Sequence, residues 1–77
     1  MEFIDYIKDK YTNNDKALIN AFVYGTPDAF ISYIYDLLVI EFDQPFGQAT
    51  KDLAKELYEE QMQPWVAQMK LFNPLLK

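Results

Sequence analysis

Apolar residues recur along this chain at helical spacing, in four segments separated by turn residues. In residues 2–11, Phe3, Ile4, Ile7 and Tyr11 share one face while Glu2, Asp5 and Asp9 line another. That predicts a short amphipathic helix. Thr12, Asn13 and Asn14 supply turn chemistry, and one of them is expected to cap the next helix. Residues 15–24 place Ala17, Leu18, Ala21 and Phe22 on a second stripe, with Ile19 and Val23 beside it. Gly25 then offers the left-handed position that ends many helices.

The third segment departs from the one-sided pattern. Thr26 is a good N-cap, Pro27 suits the first helical position, and Asp28 puts negative charge where the helix dipole favours it. From Ala29 to Phe42 the segment is apolar nearly all the way round, broken only by Ser32, Asp36 and Glu41. A helix of that kind must be buried, in its own fold or against a partner. Strand-favouring residues also permit a β-hairpin of residues 18–24 and 30–35 around residues 25–28. The Thr-Pro-Asp opening and the Gly stop favour helices, and a lone hairpin is marginal in water.

Residues 43–47 (DQPFG) form the second break. Beyond them Ala49, Leu53, Ala54, Leu57, Tyr58, Met62, Trp65, Val66 and Met69 keep one stripe to residue 72. Pro64 removes a donor and crowds the carbonyl of Glu60. Because the stripe stays in phase across it, a kinked continuous helix is expected, stopped by Asn73 and Pro74. Leu71, Phe72, Leu75 and Leu76 make an apolar end, suited to closing the bundle or to meeting a partner. The pattern therefore predicts an all-α fold, a small bundle of about four helices in a single domain over 1–77. Its central hydrophobic helix lies near 27–42 and its long kinked C-terminal helix near 46–72. Short helices would struggle to cover the third segment, which motivates a homodimer or an obligate partner.

Composition adjusts this picture. A chain of 77 residues buries only about 60–65% of its unfolded surface, so its core is marginal. The hydrophobic content of 51%, with 17% aromatic, offsets this and excludes intrinsic disorder. There is no cysteine, hence no disulfide framework, and a reducing compartment is favoured. Charged residues in 2–10 exclude a signal peptide. The apolar run of residues 29–42 is shorter than the ~20 residues a membrane span needs and carries Asp36. A cytoplasmic protein with no membrane association is expected.

The net charge is −5, and all seven basic residues are lysine. That balance disfavours direct nucleic-acid binding, and no segment offers a basic helix-turn-helix recognition face. It suits steering towards a basic protein surface, although mild acidity also serves solubility alone. Abundant Lys, Asn, Ile, Tyr and Phe without Arg fits an A/T-rich coding genome, such as a low-GC bacterium or its phage.

Catalytic chemistry is thinly provided. The chain has no His, Cys or Arg, a single serine (Ser32) in its most apolar segment, and isolated glycines. These exclude the usual bases, nucleophiles, phosphate loops and metal sets, so no enzyme, cofactor or metal is expected. Partner binding is assigned instead to three sets of residues. The first is Asp36, on a line with Ser32 and Asp43; this line also serves as the solvent face of a buried helix. The second is the acidic face Asp52, Glu56, Glu59 and Glu60, interspersed with Lys51 and Lys55, which a solvated helix face explains equally. The third is the aromatic surplus, Tyr58 and Trp65 foremost, since Tyr and Trp are frequent interface anchors and equally frequent core residues. The expected function is non-catalytic protein–protein binding, in the form of a phage or mobile-element inhibitor of a host protein that handles nucleic acid. The alternative is a homodimeric adaptor or antitoxin-like module.

Overall fold

A computed structural model describes residues 2–72 and is 83% helical, with four helices and no strand among those residues. The expected all-α bundle is what the chain forms. Asn73, Pro74, Leu75 and Leu76 lie outside the described residues.

Helix α1 (Phe3–Thr12) buries Ile7 and leans Phe3, Ile4, Tyr6 and Tyr11 on the core. Asn13 and Asn14 make the turn, Asn14 in the left-handed region at φ 59°. The cap of the next helix is one residue later than expected. Asp15, not Thr12, Asn13 or Asn14, accepts the Leu18 N–H at 3.0 Å. Thr12 is already inside α1, its hydroxyl donating to the Lys8 carbonyl at 3.0 Å.

Helix α2 (Lys16–Tyr24) buries Leu18, Ala21 and Phe22. It stops at Gly25, whose φ of 70° is accessible to glycine without steric cost. Thr26 opens helix α3 (Pro27–Glu41) by accepting the Ala29 N–H at 3.2 Å, with Pro27 in the first turn. Only Gly25 and Thr26 separate the two helices, so α2 and α3 form a helical hairpin. Phe30, Tyr33, Ile34, Leu37 and Leu38 of α3 are buried.

The C-terminal helix α4 starts at Gln48 and runs to Phe72 in three pieces: Gln48–Leu57, a π turn at Tyr58–Met62, and Gln63–Phe72. Pro64 does not break it. The Gln63 N–H reaches back to the Tyr58 carbonyl, five residues away, so the turn ahead of Pro64 is widened by one residue. The residues buried along α4 are Thr50, Ala54, Tyr58, Met62 and Val66. They recur every fourth residue. On a regular helix each such step overshoots a full turn by about 40°; the wider turn takes up part of that drift. Ala49 and Leu53, expected on the stripe, are exposed, and Thr50 is buried instead. Thr50 is accommodated because its hydroxyl donates to the Pro45 carbonyl at 2.6 Å, so this buried donor is paired.

One aromatic cluster joins all four helices. Phe22 meets Phe30, Trp65 and Tyr11 edge-on at 5.1, 5.5 and 5.2 Å, and Tyr11 meets Trp65 at 5.6 Å. Phe30 in turn stacks on Tyr58 at 5.8 Å with the rings 15° apart. Offset and edge-to-face pairs of this kind add about 0.5–1.5 kcal/mol each beyond area burial. Polar ties fix α4 further. The Gln61 side chain accepts the Ile4 N–H at 3.1 Å, and the Lys70 ammonium donates to the Gly25 carbonyl at 3.2 Å. No described helix is long and apolar enough to cross a membrane.

Candidate functional site

The expected site residues fall into three settings. Asp52, Glu56, Glu59 and Glu60 are exposed along α4, and Asp52 accepts the Gln48 side-chain amide at 2.8 Å. Tyr58 is only 7% exposed and stacked on Phe30, so it belongs to the core. Trp65 is half-buried within the aromatic cluster. Asp36 and Ser32 are both exposed on α3. Asp43 is exposed too but leaves their line, because α3 ends at Glu41 and Asp43 turns into the left-handed region at φ 58°.

Asp36 does not stand with the acids of α4. It lines a groove of about 490 Å³ running along the α2–α3 hairpin. Positions 17, 20, 21 and 24 of α2 form one wall, and positions 29, 32, 33, 36, 37, 40 and 41 of α3 form the other. Both sets follow the three- and four-residue helical step. Alanines at 17, 21 and 29 keep the floor low, while Tyr24 and Ile40 stand 73% and 77% exposed. Asp15, Asp36 and Glu41 bring negative charge to the lining, and no lysine contributes to it.

The groove's carboxylates differ in how they are held. Glu41 takes a hydrogen bond from the Tyr6 hydroxyl and forms a salt bridge with Lys10 at 2.9 Å. The Tyr6 hydroxyl, followed by Lys10, holds the Glu41 carboxyl below its usual range. The same hydrogen bond pushes Tyr6 up, and Glu41 raises Lys10. Phe42 lies against Tyr6 and Phe3 at 5.2 and 6.2 Å, closing the contact between α1 and the end of α3. Asp15 is engaged in capping α2. Asp36 forms no salt bridge, the Lys10–Glu41 pair being the one ion pair among the described residues.

Tyr33 lies at the same groove. Its ring is 7% exposed, and its hydroxyl is shut off from solvent with no hydrogen-bond partner among the described residues. Burial, and then the charge of Asp15 and Glu41, push its ionisation well above the ordinary tyrosine value. A buried hydroxyl without a partner costs about 1–3 kcal/mol.

Reading the sequence isolated Ser32 and Asp36 but missed the α2 wall and Tyr33. The available signal was the Ala17–Ala21 spacing, small residues on the edge of a helix whose large side chains point elsewhere. Among the described residues no group of three His, Cys, Asp or Glu is placed to hold a metal ion. No protein-family model matches the chain, and neither a similar curated protein nor a similar solved structure was found for it.

Proposed function

We propose that this protein acts by binding another protein whose contact surface is basic, rather than by catalysis. One observation carries the reading: beside the carboxylate of Asp36, which has no ion-pair partner among the described residues, the groove leaves Ile40 77% and Tyr24 73% exposed. Apolar surface rimmed by a single sign of charge is the chemistry of a recognition site. The net charge of −5 supports the same direction, since it steers towards positive surfaces. The finer form of the proposal is a small phage or mobile-element inhibitor of a host protein that handles nucleic acid. It rests on the composition and on the acids at Asp52, Glu56, Glu59 and Glu60.

The experiment is affinity capture from a low-GC bacterial lysate at two salt concentrations, with mass spectrometry of the eluate. The expected result is one stoichiometric protein that high salt releases. Self-association alone, measured by light scattering, would replace this reading with the homodimeric adaptor. Charge reversal at Glu56 and Glu60 tests the inhibitor form. Retention unchanged at both salts would remove those acids from the interface.

A further inference from the structure

We infer that the α2–α3 groove is built to receive an amphipathic helix of about three turns, apolar along the face it lays down and lysine- or arginine-bearing along its edge. The inference rests on the binding reading above and gives it a location and a partner chemistry.

Shape comes first. The lining extends from Ala29 to Glu41 along α3, which at about 1.5 Å per residue is roughly 18 Å, the length of a three-turn helix. Alanines at 17, 21 and 29 let a backbone approach closely, and the ridges of a third helix fit between those of a packed pair. An extended peptide is the poorer occupant. The described residues form no strand, so the groove offers no edge for its backbone to pair with.

Charge then selects among helices. Asp15, Asp36 and Glu41 line the groove and no lysine does. Glu41 already has Lys10 and Tyr6, which leaves Asp36 as the acceptor open to a cation of the partner. A second copy of this chain is the less suitable partner, because it brings another net −5 and the same acidic rim.

The probe is a helical peptide of leucine and lysine about fourteen residues long, four turns, together with the same peptide carrying glutamate for lysine. Binding is read by fluorescence anisotropy and located by amide shift changes in the labelled protein. Ala17→Trp fills the groove from an exposed position, and Asp36→Lys reverses its open charge; both are checked for unchanged helicity and melting. The expected result is binding of the lysine peptide with shifts confined to α2 and α3, and about tenfold weaker affinity in each variant. The glutamate peptide should not bind.

Shifts centred on α4, or equal affinity in both variants, would overturn the groove assignment. Equal binding of the two peptides would overturn the basic partner. A dimer that Ala17→Trp dissociates would assign the groove to a second copy instead. The two readings fail separately. A lysate protein retained equally by wild type and both variants leaves protein binding standing and removes the groove. Peptide seated in the groove with no protein retained from lysate supports the groove and counts against the cellular role.

Discussion

Two of the contacts that tie α1 to the rest of the molecule use opposite physics. In the last turn of α1, Tyr11 enters the cluster of Phe22, Phe30, Tyr58 and Trp65. Tyr6 and Lys10, one turn apart, hold Glu41 at the surface while Phe42 covers the Tyr6 ring. Burial makes the first contact strong and insensitive to salt. The second joins half-exposed charged groups, with Lys10 25% and Glu41 34% exposed, and such pairs contribute about 0–1 kcal/mol. The aromatic cluster supplies stability; the polar contact supplies register between α1 and α3.

The most severe way to break this contrast is Phe22→Ala. Phe22 is fully buried and meets three other rings, so its truncation should cost about 3–5 kcal/mol. That is a large share of the total stability of a small domain. Urea titration should show most of the cooperative transition lost, and an unchanged midpoint would contradict the cluster's role.

Alkali acts on both regions at once. Tyr33 and Tyr58 are raised mainly by burial, and Tyr6 mainly by its hydrogen bond to Glu41. A raised folded value means the native state keeps the proton longer than the unfolded chain does. Stability is therefore fully present below the unfolded value of about 10 and is lost as pH climbs towards the folded values. The slope reaches about 1.4 kcal/mol per pH unit for each such tyrosine. Tyr33 and Tyr58, held by burial, should ionise only together with loss of helicity, monitored by tyrosinate absorbance alongside circular dichroism.

One substitution made twice sharpens the comparison. Tyr33→Phe removes a hydroxyl that has no partner, so melting should hold or rise, by the equivalent of at most about 1–3 kcal/mol. Tyr6→Phe removes a bonded hydroxyl and should lower stability by about 0.5–1.5 kcal/mol. Equal effects in thermal melts would dissolve the distinction.

Glu41→Gln is the smallest effect expected. It should cost under about 1 kcal/mol, and less still at high salt. Because the Glu41 carboxyl is held low, its contribution is present above the ordinary glutamate value and disappears as pH falls through the lowered one. Wild type and variant should therefore converge in acid, which a urea series at descending pH would measure.

Local chemistry was legible in the sequence; long-range chemistry was not. Thr26, Pro27 and Gly25 fix the α2–α3 boundary through their own dihedral limits and short hydrogen bonds, and they stand where those limits require. Asp15 does not stand out as the cap because Thr12, Asn13 and Asn14 are equally capable of the role. Only the extra left-handed residue at Asn14 moves the start of α2 past them. Burial of Thr50 is invisible to an apolar stripe, because the acceptor of its hydroxyl, the Pro45 carbonyl, lies in the preceding loop. Asp36 reads as exposed from its own helix. That it shares a groove with Ala17, Ala21 and Tyr33 depends on how α2 lies against α3, and no periodicity within either helix encodes that.

The π turn at Tyr58–Met62 has a consequence for insertions and deletions. The buried positions 50, 54, 58, 62 and 66 span sixteen residues, about 160° beyond four whole turns of regular helix. Removing one residue between Tyr58 and Met62, Glu59 or Glu60 being exposed and dispensable to the core, shortens that span to fifteen and the excess to about 60°. An ordinary helix carries that pattern on a single face. The same deletion between Thr50 and Ala54 would leave the wide turn in place and swing the helix start away from the core. Length variation in α4 is therefore confined to a short window, and a chain one residue shorter there keeps its interior intact.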